Sequence, residues 1–243
     1  EHVALALAML ADVGLEEGDL ACGAHEPLAA RGARLLREAA ALPTRAHNNC
    51  SGKHAAMLAA STTHGWTPHG YERPLHPVQR RIRETLPTFT ALDDERIELA
   101  IDGCGVPVFV LPLRNMATAW GRLARHAHDE AAAARVLTAM ATHPFLVGGT
   151  DRFDTVVMEE TGGNVVCKIG AEGVHSLCIR DRALGLAVKV ADGAQRAQYP
   201  AVLRLLQHLH ALPATLPPRL AAFLVTPVRN TRGETVGEIH PAA

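Results

Sequence analysis

The sequence predicts an α+β architecture, helices mixed with a largely antiparallel sheet. Two observations carry that prediction. Apolar residues recur at helical spacing through most of the first 160 positions, and between residues 165 and 190 the period shortens to three β-like runs parted by Gly, Asp and Arg turns. With 243 residues, 48% of them hydrophobic and 20% charged, the chain has material for an ample core, and a single domain over 1–243 is the expected organisation.

The elements follow in order. Residues 3–13 are Ala/Leu-rich with helical spacing and Gly14 as a C-cap, and residues 29–41 repeat the pattern after Pro27. Residues 53–61 form a third helix. Residues 77–86 form a fourth, with Pro77 tolerated in its first turn and Pro87 closing it. The runs 97–101 and 106–111 read as buried strands flanking the turn Asp102-Gly103-Cys104-Gly105. Helices are expected at 114–126, 129–141 and 151–160, the last stopped by Gly162-Gly163. Then come the strands 165–169, 174–179 and 184–190 as an antiparallel meander, a helix over 195–210, a Pro-rich hinge at 213–218, and a terminal hairpin around Arg232-Gly233.

Charge and composition exclude several functions. The formal net charge is −1 and no Lys/Arg cluster is present, which argues against a nucleic-acid or anionic-membrane surface, since phosphate binding needs concentrated positive charge. No apolar run approaches the roughly 20 residues a membrane-spanning helix needs, and the first residues lack a basic-then-apolar leader pattern. Five cysteines make a poor disulfide framework and a better set of reduced thiols, so a cytoplasmic location is expected.

Reactive groups concentrate in His47-Asn48-Asn49-Cys50-Ser51-Gly52-Lys53-His54, ahead of an apolar helix. The chain has three serines and three lysines against twenty-one arginines, so each lysine is a candidate for a task that needs a titratable amine. A helix start would lower the Cys50 thiol pKa and suit anions. His47 and His54 are the histidines in a reactive setting; the others read as scattered surface or satisfied groups, and Cys22-Gly23-Ala24-His25 as a structural loop. Cys50 and Lys53 share one side of that helix start, and Asp102 and Cys104 add a carboxylate and a second thiol. Two thiolates plus N or O donors can hold zinc; two buried small thiols are the plainer reading. A lysine ligand must be neutral, which requires a pKa well below the usual value of about 10.4. Lys168 ends a β-like run just before Gly170, Ala171 and Glu172, where a ligand or backbone can come close; a substrate-orienting lysine and a solvated edge lysine both fit. Ser51 lacks the Ser-x-x-Lys spacing of acyl-transfer enzymes, because Lys53 falls only two residues on.

Five segments, His47–Ala55, Asp102–Pro107, His143–Val147, Lys168–Val174 and Asp192–Ala194, together resemble the bacterial asparaginases of the Rhizobium etli inducible type. The resemblance implies a fold like that of serine β-lactamases and glutaminases, hydrolysis of L-asparagine to L-aspartate and ammonia, and pairing as a homodimer. It implies a zinc ion on Cys50, Lys53 and Cys104 with water completing the sphere, Asp102 and His54 beside it, and Lys168 in the catalytic machinery as the lysine of a Lys-Thr-Gly-like strand. The family's Ser-x-x-Lys nucleophile pair and a second serine lie before the position where this chain starts, so the domain is expected to lack its N-terminal segment. Two other functions stay open: a cysteine-nucleophile amidase using Cys50 with His47 or His54 and Asp102, and a zinc-stabilised amino-acid-binding module without turnover.

Overall fold

The computed structural model describes residues 1–241, which fall into two compact units. The first comprises Glu1–Thr88 and Leu92–Leu111. It contains α1 (His2–Ala11), α2 (Ala30–Glu38), α3 (Ser51–Thr63), most of α4 (Pro77–Thr90), and the antiparallel hairpin of β1 (Glu98–Ile101) and β2 (Pro107–Val110). Gly14, left-handed at φ 73°, turns the chain after α1, and α1 packs against α3. Leu10, Leu20, Ala55, Leu58, Tyr71 and Val106 form the core of this unit, each fully buried side chain of leucine size stabilising the fold by about 2 kcal/mol.

Two expectations are corrected here. Pro87 does not close α4, which continues to Thr90 and stops at Ala91, a left-handed residue at φ 56°. An interior proline removes one N–H and crowds one carbonyl, which kinks a helix without obliging it to end. The strands 97–101 and 106–111 are buried only at Ile97, Val106 and Pro107: every residue of β1 is exposed, Ile101 by 58%. Among the described residues their sheet has two strands, so each strand has a sheet neighbour on one side alone.

The second unit comprises Phe89–Ala91 and the chain from Pro112 onward. Its helices are α5 (Leu113–His126), α6 (Ala131–Thr142), α7 (Pro144–Gly148), α8 (Phe153–Glu160), α9 (Gln198–His208) and α10 (Pro218–Ala221). Its strands are β3 (Val165–Ile169), β4 (Val174–Ile179) and β5 (Leu184–Lys189), in sheet order β3-β4-β5, followed by the hairpin β6 (Thr226–Arg229) and β7 (Thr235–Ile239). All pairings are antiparallel, with Ile169 opposite His175 and Val174 opposite Lys189. The α+β mixture is therefore present, with its described strands spread over sheets of two, three and two strands.

Helix α8 buries six consecutive residues, Phe153 to Met158, because it runs through the middle of a core that includes Val165, Cys167, Leu177, Ile179, Leu203 and Leu220. Helix α5 lies on β5 so closely that a Cβ placed on Gly185 would stand 1.8 Å from the Ala117 carbonyl oxygen. Only glycine permits that approach.

Candidate functional site

In the first unit, a short helical turn ending at His47 carries the chain into Cys50, which is the N-cap of α3. The loop before it is held from two sides. Asn48 accepts the Cys50 amide through Oδ1 (2.8 Å) and donates through Nδ2 to the Gly23 carbonyl (2.7 Å), and the Asn49 amide donates to His25 Nε2 (3.1 Å). The Cys22/His25 loop thus orders the reactive octapeptide. His47 is taken up by its own turn, its Nδ1 accepting the Thr44 amide at 3.0 Å.

The β1–β2 turn supplies the rest. Asp102 Oδ1 accepts the Gly103 amide (2.8 Å), and the tight turn is closed by Gly105, at φ 93°, donating to the Asp102 carbonyl (2.8 Å). Asp102 Oδ2 receives the Lys53 ammonium at 3.0 Å and the Cys104 thiol at 3.3 Å. A sulfur of Cys50, a sulfur of Cys104 and an oxygen of Asp102 all lie within 4.8 Å of one another. Cys50, Lys53, Asp102 and Cys104 are therefore brought together from two distant stretches of sequence.

The electrostatics of this cluster reverse one expectation. Burial pushes the Cys50 thiol up to about 11, against the pull of Lys53, with Cys104 and Asp102 adding to the rise. The helix start does not lower it, because desolvation and two nearby acidic groups outweigh the favourable field of the first turn. Burial also acts against the charged forms of Lys53 and Asp102, but their mutual ion pair prevails, holding the ammonium above and the carboxyl below their ordinary values. These are donors that a soft or borderline divalent cation could capture by displacing protons.

His54 stands one residue beyond Lys53 and is fully buried. Its Nδ1 is hydrogen-bonded to the Tyr71 hydroxyl, which also accepts the Ala21 amide at 2.8 Å, and its Nε2 has no hydrogen-bond partner among the described residues. Burial, helped by Lys53, lowers its pKa to about 4. The ring is a neutral part of the core at physiological pH.

Lys168 and residues 170–172 belong to the second unit, at the end of β3 and in the β3–β4 turn. Lys168 is exposed and its Nζ donates to the Ile169 carbonyl at 2.9 Å. Glu172 is left-handed at φ 55° and Gly173 follows at φ 69°, which bends the chain sharply into β4. Lys189 donates to the Glu172 and Val190 carbonyls and so fixes the same turn from β5.

Sequence reasoning missed Asp154 and His175. His175, one of the histidines read as scattered, is 0% exposed and donates from Nε2 to Asp154 Oδ1 at 2.8 Å; Asp154, 2% exposed, also accepts the Ile169 amide at 2.7 Å. No local spacing signals this pair, because it forms only when α8 lies across the β3–β4 end. His76 is likewise buried, its Nε2 bonded to the Thr67 carbonyl at 2.7 Å.

Comparison with known families places these residues in an amidohydrolase. The chain belongs to the L-asparaginase II family, whose model matches residues 1–241. No curated protein matches the chain. Among the described residues, no helix is long and apolar enough to cross a membrane.

Proposed function

We propose that this protein hydrolyses L-asparagine to L-aspartate and ammonia, as an asparaginase of the Rhizobium etli inducible type with the fold of serine β-lactamases and glutaminases. The single observation that carries the reading is the family match, which runs through both compact units. That continuity also supports reading residues 1–243 as one asparaginase-family domain. A homodimer and a cytoplasmic location belong to the same proposal.

The donor set in the first unit fits a zinc ion: two thiols and a carboxylate within 4.8 Å of one another, and an amine 3.0 Å from that carboxylate. Cys50, Cys104 and Lys53 would hold it, with Asp102 as the partner that orients the lysine or a water. Bound there, zinc would supply a Lewis acid. Because Cys50 and Lys53 are protonated in the metal-free cluster, loading should release protons and weaken steeply as pH falls.

The remaining chemistry falls to the chain's own groups. Lys168 would hold or relay a proton at Nζ, and Gly170, Ala171 and Glu172 would seat the substrate, the Glu172 carboxylate facing its α-ammonium. Acyl transfer needs a serine whose Oγ attacks the side-chain amide carbonyl; the amide nitrogen leaves as ammonia after taking a proton, and water then cleaves the ester to release aspartate. No Ser-x-x-Lys occurs within residues 1–243, so a serine in this role would have to come from outside them. A thiol at about 11 argues against Cys50 as the nucleophile at neutral pH.

The test is ammonia release from L-asparagine by this chain and by a version extended upstream, each with stoichiometric zinc. Turnover in the extended protein alone supports the assignment. Turnover in the short chain moves the nucleophile to a residue within it, and asparagine binding without turnover in both indicates a binding module.

A further inference from the structure

Asp154, Cys167 and His175 form a second group whose donor atoms lie within 4.8 Å of one another, all buried. They make a poor cation site. His175 Nε2 and Asp154 Oδ1 are already bonded to each other, Asp154 Oδ2 is bonded to the Ile169 amide, and the Cys167 thiol, pushed well above its ordinary value by burial, faces the Asp154 carbonyl at 3.8 Å. The three donors serve one another, and among the described residues no fourth joins the set.

What the carboxylate does is join three elements. Asp154 lies in the first turn of α8, Ile169 ends β3, and His175 stands directly opposite Ile169 on β4. Strand β3 is at one end of its sheet. The Gly170 amide points to β4, where it bonds the Val174 carbonyl at 2.8 Å, so the Ile169 amide points the other way, to the side that no strand of this sheet covers. Asp154 takes that amide. The carbonyl of the same residue accepts Lys168 Nζ at 2.9 Å. Gln198, fully buried, donates to the Val174 carbonyl and pins the residue next to His175.

We infer that Asp154 and His175 are positioning residues for Lys168: a buried carboxylate–imidazole brace under α8 that fixes the end of β3 and thereby the lysine. This rests on the reading of Lys168 as part of the hydrolytic machinery. Without the brace, the strand end next to a turn of left-handed residues would be free to fray, and a misplacement of about 1 Å is enough to cost on the order of 10²-fold in rate.

The scarcity of lysine provides the test. In the 243-residue chain, lysine-selective isotope labelling gives three side-chain signals, assigned with Lys53→Arg, Lys168→Arg and Lys189→Arg. Asp154→Ala should shift and broaden the Lys168 signal and leave that of Lys53, in the first unit, in place. In the hydrolytically active form, the same variant should lower kcat about 10²-fold with KM for L-asparagine within about threefold and zinc content unchanged. Asp154→Asn should recover most of that loss, since its Oδ1 can accept the Ile169 amide and its Nδ2 can donate to His175 in the other tautomer. If Asp154→Ala does not fold, His175→Phe, which keeps the Ile169 bond and removes the imidazole, carries the same readouts with a smaller drop. A folded variant with reduced melting temperature but unchanged kcat and an unchanged Lys168 signal would overturn the inference. Turnover that survives Lys168→Ala would instead overturn the hydrolytic role of Lys168, and the lysine signals would still judge the brace.

Discussion

Around Cys50, Asp102 and Cys104 the backbone leaves space, whereas at Gly148, ahead of α8, and at Gly185 in β5 it leaves none. A Cβ on Gly52, Gly103 or Gly105 would meet nothing within 4 Å, and the Lys53–Asp102 pair is half exposed. In the second unit, a Cβ on Gly148 would stand 2.5 Å from Thr155 Oγ1, Gly185 is tighter still, and the Asp154–His175 pair is out of water. The two polar groups accordingly have different means of staying stable. The exposed one relies on solvent and an ion pair of modest worth, so its donors can be exchanged; the buried one must satisfy itself, and breaking it leaves a charge without compensation.

That contrast can be broken or sharpened by experiment. The largest effect should come from Cys104→Ser, which should weaken zinc binding by on the order of 10³-fold, while Cys167→Ser leaves the affinity unchanged; competitive titration with a chromogenic chelator reads both. If Cys167→Ser were the variant that lost zinc, the assignment of roles to the two regions would be inverted.

Next in size is Gly185→Ala. The added methyl has backbone in front of it, so urea denaturation should show a loss of about 3 kcal/mol. Gly52→Ala, in the open first turn of α3, should be neutral or gain up to about 1 kcal/mol through helix propensity. Equal costs at the two glycines would erase the distinction.

His54 gives an effect of similar magnitude that depends on pH. Its folded pKa, about 4, lies below the 6.5 of an unfolded histidine, so the unfolded chain binds the extra proton first. The contribution is complete above about 6.5 and is lost as pH falls toward 4, about 3 kcal/mol at 1.36 kcal/mol per pH unit. Stability measured between pH 7 and 4 should lose most of this slope in His54→Gln. The smallest effect is expected at Arg37→Ala, which removes an exposed ion pair with Glu26 at 2.9 Å and should change stability by less than about 0.5 kcal/mol.

The sequence made the β3–β5 meander legible almost residue by residue, since short β-like runs parted by Gly, Asp and Arg turns report directly on strands that pair with their neighbours in the chain. The C-terminal hairpin was legible for the same reason, and the structure adds an Asn230 side chain that accepts the Arg232 and Glu234 amides across its turn. Helices α7 and α10 were not, being too short for periodicity to register. The exposure of β1 and β2 was misread because an apolar run says nothing about how many strands its sheet will have. At the candidate site, Cys50 and Lys53 were recognisable from one helix start, and Asp102 and Cys104 from one turn. The Asp154–His175 pair was hidden because its partners lie 21 residues apart on elements whose packing no spacing rule foretells.

The close seating of α5 on β5 also bears on how the second unit opens. Where Ala117, Gly121 and Gly185 bring backbone against backbone, neither element can loosen by rotating a side chain, and a small separation already forfeits most of the contact. Helix and strand should therefore act as one cooperative opening unit, with the amides of α5 and β5 exchanging hydrogen for deuterium at a common rate slower than those of the β6–β7 hairpin.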